Sequence, residues 1–232
     1  MPVSVWLPEL SVLWEEGAFP LALGGDHSIE AGTVAGSAAY SRRHKERLGL
    51  IWIDAHSDMN LPDTSPSGNV HGMPLAALVG LGPDELASLG DLVPKVESRN
   101  AVVIAARSID PSETGNIREA GLRVITMSEI DSRGLADAMA EAVEIACDGT
   151  GSFHCSLDLD AIDPSVAPGV GTPVEGGLTY REAHLAMEMV FASGCCRSLG
   201  VVELNPVIDS ANRTARLAVG LVCSALGKKI LA

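Results

Sequence analysis

The amino-acid sequence predicts an α/β fold with three layers, in which a mostly parallel central sheet lies between two layers of helices. Two observations support this fold class. Apolar runs of strand length alternate along the chain with longer segments of helical periodicity, and such alternation is typical of a parallel sheet covered on both faces. Acidic and histidine residues also follow three of the apolar runs, at the sheet edge where α/β proteins keep their ligands.

Six strands and six helices are expected from these patterns. Thr179 and Glu182 have the spacing of a capping box, which predicts the start of a helix. The predicted strands are 21–23, 48–53, 101–106, 122–126, 152–160 and 197–204. The predicted helices are 28–43, 71–79, 111–120, 134–147, 179–191 and 210–226.

The composition indicates one domain and excludes some kinds of partner. The 232 residues can form a full hydrophobic core, and no internal repeat or linker divides them, so we expect a single domain over residues 1–232. A formal net charge of −14 disfavours binding to nucleic acid, which depends on Lys and Arg, and to anionic membranes. The sequence has neither a membrane-spanning apolar stretch nor a signal-peptide pattern, so we expect a cytoplasmic location.

The most informative segment is 54–60 (DAHSDMN), which directly follows the apolar run 48–53. Alternate residues of an extended chain point the same way, so Asp54, His56 and Asp58 can converge on one spot. This arrangement predicts a metal site. The alternative is a polar turn in which His56 is an ordinary hydrogen-bonded loop residue.

Two further strand ends favour the metal site. The run 152–160 ends in Asp158 and Asp160, again at alternate positions, and the segment after 21–23 supplies His27. Because the carboxyl ends of parallel strands meet at one edge of a sheet, we expect these side chains to form one cluster.

The expected cluster contains two imidazoles and four carboxylates. This donor set is too rich in oxygen for a structural zinc site, which prefers Cys and His. It is too large for one small ion, because unpaired buried carboxylates are costly. Two divalent cations that share bridging carboxylates satisfy both conditions, and hydrolysis is the reaction class that two such ions favour. The expected metal ligands are His27, Asp54, His56, Asp58, Asp158 and Asp160.

Three segments of the chain resemble the signatures of the ureohydrolase family, which comprises arginases, agmatinases and related enzymes. The segments are 24–28 (GGDHS), 54–60 (DAHSDMN) and 156–160 (SLDLD). The resemblance implies an arginase-like fold and two Mn²⁺ ions. One ion would be held by His27, Asp54, Asp58 and Asp158, and the other by Asp54, His56, Asp158 and Asp160. Asp54 and Asp158 would bridge the two ions.

Within this family the chain is most similar to arginases, and the resemblance implies roles for residues outside the metal cluster. Asn60, Ser67 and Asn69 would bind the substrate α-carboxylate, although turn chemistry alone would also explain these residue types. Two further residues, Asp110 and Glu113, would bind the α-amino group. Thr172 and Glu203 would bind the guanidinium group. Asp110 and Glu113 also suit the first turn of a helix.

The resemblance further implies hydrolysis of L-arginine to L-ornithine and urea. A metal-bridging hydroxide, oriented by Asp58, would attack the guanidinium carbon, and His71 would protonate the departing amine. One alternative is an agmatinase or another guanidino-compound hydrolase, and a second is a truncated non-catalytic module of the same fold. The family is oligomeric, which implies a trimer or a hexamer. We also expect the chain to lack the N-terminal βα unit of the family, since residues 10–14 look like part of a helix.

Overall fold

The computed structural model describes residues 12–91, 93–229 and 231. Residues 12–15 are helical, and the rest of the expectation for the N-terminus falls on residues 1–11, outside the described ranges. Whether the chain forms a single domain over 1–232 and lacks a βα unit stays a prediction.

Six parallel strands form one sheet, which confirms the predicted fold class. Their spatial order is β1-β6-β5-β2-β3-β4, and every neighbouring pair is parallel. The four inner strands β6, β5, β2 and β3 therefore end at the same edge of the sheet. The strands are β1 (Leu21–Leu23), β2 (Leu48–Ile53), β3 (Ala101–Ala106), β4 (Arg123–Thr126), β5 (Ser152–Asp158) and β6 (Cys196–Val202).

Two strands end earlier than the sequence predicts, and both differences occur at functional positions. The Asp158 carboxylate accepts a hydrogen bond from the Asp160 amide, which caps the 3-10 helix Leu159–Ala161 and stops β5. After Val202, the backbone of Glu203 turns into the left-handed region with φ of 65°. Both turns aim an acidic side chain at the carboxyl edge of the sheet.

Each of the six predicted helical segments contains a helix in the structure. They are α1 (Glu30–Arg43), α2 (Pro74–Leu78), α4 (Glu113–Ala120), α6 (Leu135–Cys147), α7 (Tyr180–Ala192) and α8 (Arg213–Ala225). Thr179 and Glu182 form the expected capping box. Two helices were not predicted, the short α3 (Asp84–Ala87) and α5 (Met127–Arg133). A second capping box, formed by Thr126 and Glu129, starts α5 and follows the same spacing rule.

The core lies on both faces of the sheet. In β2, Ile51 and Ile53 belong to the cluster that includes residues of α6, α7 and α8. Leu50 and Trp52 belong to the opposite cluster, with residues of α1 and α2. Alternate side chains of one strand thus face different helical layers, which is the predicted α/β/α arrangement. Among the described residues, no helix has the length and apolar character needed to cross a bilayer.

Candidate metal centre and active site

The six expected metal ligands lie together at the carboxyl edge of the sheet. His27 comes from the turn after β1, Asp54, His56 and Asp58 from the segment after β2, and Asp158 and Asp160 from the end of β5. All are buried except His56, whose side chain is 27% exposed. Asp58 has a positive φ of 49°, a backbone conformation that is uncommon outside glycine and clusters at functional sites.

His27 has the surroundings of a ligand. Its Nε2 lies 2.8 Å from the Ser156 hydroxyl oxygen, while its Nδ1 lies 3.0–3.2 Å from carboxylate oxygens of Asp54, Asp58 and Asp158. Among the described residues this buried Nδ1 has no hydrogen-bond partner of good geometry. A single nitrogen cannot serve three carboxylates, and a cation placed between them would satisfy all four groups.

Other side chains fix the orientation of this cluster. The His27 ring stacks on Trp52 with 4.0 Å between ring centroids and 8° between planes. The Trp52 indole N–H donates a hydrogen bond of 3.0 Å to Asp54. Thr172 donates from its hydroxyl to Asp160 over 2.8 Å. Each expected metal ligand in these contacts is therefore oriented by a second side chain, as in preorganised metal sites.

Five of the six expected donors form two groups that share one residue, and Asp58 lies beside the first group, 3.0 Å from His27 Nδ1. His27, Asp54 and Asp158 offer ligand atoms that all lie within 4.8 Å of one another, and so do Asp54, His56 and Asp160. Asp54 belongs to both groups. Two imidazoles and several carboxylates in two adjoining groups suit a pair of divalent cations.

The pKa values of the carboxyls show how much uncompensated charge this cluster carries. Burial, together with the charge of Asp54, raises the pKa of Asp58 to about 7. Burial and the neighbouring carboxylates Asp160 and Asp54 raise the pKa of Asp158 well above its ordinary value. Although burial opposes its charge, hydrogen bonds to Asp160 and Asp54 raise the pKa of His56 to about 11. Buried carboxylates this close together favour a bound proton or a bound cation, because either one reduces the cost of burying their charge.

A pocket of about 270 Å³ opens beside the metal ligands. Most of the residues that we expect from the sequence to have a functional role line this pocket. Its walls include the ligands His27, His56, Asp58, Asp158 and Asp160, and the further residues Asn60, Ser67, Asn69, His71, Asp110, Glu113 and Thr172. Asp54, which is completely buried, and Glu203 are not among the residues that line the pocket.

Glu203 joins two parts of the site. Its Oε1 accepts a hydrogen bond of 2.8 Å from the His27 amide and lies 3.4 Å from His71 Nδ1. Hydrogen bonding to Glu203, partly opposed by burial, raises the pKa of His71 above its ordinary value.

Several residues that we expect to bind the α-amino and α-carboxylate groups of the substrate already make hydrogen bonds within the protein. The Asn60 side-chain amide donates to Asp110 over 3.0 Å, so these two residues form one unit at the pocket. Glu113 lines the pocket but is only 3% exposed, and its carboxylate accepts hydrogen bonds from the amides of Met59 and Asp110. Its contact with substrate stays a prediction.

Sequence reasoning missed several residues that support the site. Ser156 precedes Asp158 by two positions on β5 and faces the same way, so the period of a strand would have identified it. Ser65, Gly72 and Ser108 line the pocket and carry no pattern that distinguishes them from ordinary loop residues.

The chain is similar to known proteins over most of its length. The model of the family described as "Arginase family" matches residues 8–227. The arginase of Bacillus subtilis (strain 168) is 52% identical over 219 residues, which cover 94% of this chain and 72% of that protein. The arginase of Bacillus caldovelox is 51% identical over 217 residues, covering 94% of this chain and 71% of that protein.

Solved structures give the same result. A crystal structure of arginase from Bacillus subtilis superposes with a TM-score of 0.93 at 48% identity, over 99% of this chain and 77% of that one. The arginase of Entamoeba histolytica in complex with L-ornithine has a TM-score of 0.89 at 31% identity, over 97% of this chain and 75% of that one. With the family model matching nearly the whole chain, and with its histidine and aspartate donors gathered at the sheet edge, this protein belongs to the arginase family of metal-dependent hydrolases.

Proposed function

We propose that this protein hydrolyses L-arginine to L-ornithine and urea with two Mn²⁺ ions. The observation that carries the proposal is the pair of donor groups that share Asp54, beside a pocket that is lined by His71 and by polar loop residues, with Glu203 in contact with His71. The similarity to arginases of about half identical sequence supports the choice of substrate.

The donor chemistry fits two manganese ions. The four carboxylates Asp54, Asp58, Asp158 and Asp160 balance the charge of two divalent ions, and mixed oxygen and imidazole donors suit manganese. We assign His27, Asp54, Asp58 and Asp158 to one ion and Asp54, His56, Asp158 and Asp160 to the other. When bound, two such ions act as Lewis acids and lower the pKa of water, so that a nucleophile forms at neutral pH.

Glu203 and Thr172 bind the guanidinium group. The Glu203 carboxylate, next to the pocket residue His71, accepts paired N–H bonds from this planar cation, and Thr172 lines the pocket. Asp58 accepts a hydrogen bond from the attacking water and so directs it to the guanidinium carbon. His71, whose pKa is raised by its hydrogen bond to Glu203, donates a proton to the departing amine as a general acid.

The rim of the pocket selects an α-amino acid. Asn60, Ser67 and Asn69 supply neutral hydrogen-bond donors to the α-carboxylate in an otherwise acidic surrounding. Asp110, held by Asn60 over 3.0 Å, and Glu113 attract the α-amino group. A substrate without the α-carboxylate leaves the rim donors unpaired, which reduces the binding energy.

Urea release from L-arginine, agmatine and guanidinobutyrate tests this substrate assignment against the agmatinase alternative. We expect the largest kcat/KM for L-arginine. A larger value for agmatine would replace the proposal by the alternative. A folded protein that binds no metal and releases no urea from any of the three compounds would instead support a non-catalytic module. A cytoplasmic location and assembly into a trimer or hexamer remain predictions.

A further inference from the structure

Arg107 is the first residue after β3 (Ala101–Ala106) and makes an unusual set of hydrogen bonds. A guanidinium group has five N–H donors, and in this protein all five point to main-chain carbonyl oxygens. Nε donates to Glu175 over 3.2 Å, Nη1 to Ala105 and Ala161 over 3.3 and 3.2 Å, and Nη2 to Asp160 and Val174 over 2.7 Å each.

These carbonyls belong to three different parts of the active-site edge. Ala105 lies at the end of β3, Asp160 is an expected metal ligand in the 3-10 helix after β5, and Val174 lies in the loop 163–177 that carries Thr172. The Arg107 main chain adds a fourth part, because its amide donates to the Ala55 carbonyl over 2.8 Å. Ala55 lies between the expected ligands Asp54 and His56.

The loop 163–177 packs closely against the guanidinium group of Arg107. A Cβ atom at Gly177 would lie 2.6 Å from Nη2 of Arg107, so the glycine allows the loop to approach the guanidinium group closely. The loop in turn places Thr172, whose hydroxyl donates to Asp160 over 2.8 Å. Asp160 is thus held twice, at its carbonyl by Arg107 and at its carboxylate by Thr172.

We propose that Arg107 is a positioning residue for the site: the fork geometry of its guanidinium group joins the end of β3, Asp160 and the loop 163–177 next to the segment that contains His56. The proposal rests on the proposed function for its link to metal binding. A lysine would keep the positive charge but has only three donors on one nitrogen. It therefore cannot bind the carbonyls of β3, of the 3-10 helix after β5 and of the loop 163–177 at the same time.

Arg107→Lys tests the fork geometry, and Arg107→Met removes the charge as well. Arg123→Lys is a matched control, because Arg123 makes its side-chain contacts with Glu129 and Glu141 at the β4 edge of the sheet. The first measurement is amide hydrogen exchange in protein from which a chelator has removed any metal, because this measurement needs neither metal nor turnover. We expect faster exchange in 159–177 for both Arg107 variants, with unchanged exchange in α7 and α8, and wild-type exchange in 159–177 for Arg123→Lys.

The second measurement is Mn²⁺ binding by equilibrium dialysis. Loss of a group that supports a metal ligand lowers metal affinity by about 10–100-fold, and we expect a loss of this size for one of the two ions in both Arg107 variants. Wild-type exchange and affinity in Arg107→Lys would overturn the proposal, since charge alone would then suffice. Faster exchange throughout the chain would also overturn it, because Arg107 would then be a general stabilising residue.

These outcomes are separate from failure of the proposed function. If wild-type protein binds Mn²⁺ without releasing urea from L-arginine, the proposed function fails, while exchange in 159–177 and the loss of affinity still decide the role of Arg107. If wild-type protein binds no Mn²⁺, the link to metal binding is wrong and exchange alone decides the fork geometry.

Discussion

His71 Nδ1 lies 3.4 Å from Oε1 of Glu203, although the two residues are 132 positions apart in the sequence. The contact joins the loop after β2 to the end of β6. The same carboxylate oxygen accepts a hydrogen bond from the His27 amide. One glutamate therefore connects the histidine that we propose as the proton donor to the segment that carries His27, an expected metal ligand.

Glu203→Gln should lower the pKa of His71. The hydrogen bond to the carboxylate, which raises this pKa above its ordinary value, stabilises the protonated imidazole, and a neutral amide stabilises it much less. The measurement is NMR-detected titration of the His71 ring in metal-free protein, with His71→Asn to assign the signal. An unchanged or higher pKa in the variant would show that Glu203 does not control this histidine.

His71→Asn should lower kcat and leave KM for L-arginine nearly unchanged. General acid catalysis contributes about 10²–10⁴-fold to a rate, and an asparagine has no proton to give at neutral pH. Steady-state kinetics with Mn²⁺-loaded protein measures the effect. A wild-type kcat would remove the assigned role, and a rise in KM alone would make His71 a binding residue.

Metal-free protein should become less stable as the pH rises from 6 to 9. The pKa of Asp58 in the folded protein is about 7, so the folded state binds more protons than the unfolded state between about pH 4 and pH 7, and the free energy of unfolding falls across this range. His56, with a pKa raised to about 11, stabilises the fold most below its unfolded pKa of about 6.5 and loses this contribution as the pH rises towards 11.

The melting temperature of chelated protein at pH 6 and pH 9 checks this expectation. Mn²⁺ should raise the melting temperature more at pH 9 than at pH 6, because protons compete with metal for the same ligands. Equal melting temperatures for the chelated protein at the two pH values would mean that the cluster does not carry the raised pKa values.

Glu30→Ala should destabilise the protein strongly. Glu30 is completely buried in α1, and its Oε2 lies 2.9 Å from His154 Nε2 on β5. Removing one partner of a buried pair costs roughly 3–5 kcal/mol, because the other partner is left without compensation. Urea-induced unfolding measures the change in free energy. The control is Glu15→Ala, since the Glu15 side chain is 63% exposed and its pair with Arg43 spans 4.0 Å. Equal effects of the two substitutions would refute the prediction.

The strands and the clustering of the expected metal ligands were predictable because parallel strands end at one edge of the sheet. Asp54, His56 and Asp58 follow β2, and Asp158 and Asp160 stand at the end of β5, although turns, and not the period of a strand, place Asp58 and Asp160. The contacts that hold the ligands were not predictable in this way. Arg107 binds main-chain carbonyls, which every residue possesses, so no pattern of side chains marks its partners.

The backbone turns at Asp58 and Glu203 could not be predicted from the sequence either. Their φ values of 49° and 65° are conformations that local propensity disfavours for acidic residues with a Cβ. Tertiary contacts impose them: the Glu203 amide donates to the Gly25 carbonyl over 2.8 Å. Short helices such as α3, with four residues, carry too few positions to show a period.

The central claim is a two-ion site that hydrolyses L-arginine, and Asp158→Ala tests it most directly. The measurement is Mn²⁺ content per chain together with L-ornithine release, for wild type, Asp158→Ala and the exposed control Asp137→Ala in α6. We predict two Mn²⁺ ions per chain and ornithine release for wild type and Asp137→Ala, and loss of metal and of turnover for Asp158→Ala. Full metal content with full turnover in Asp158→Ala would contradict the account.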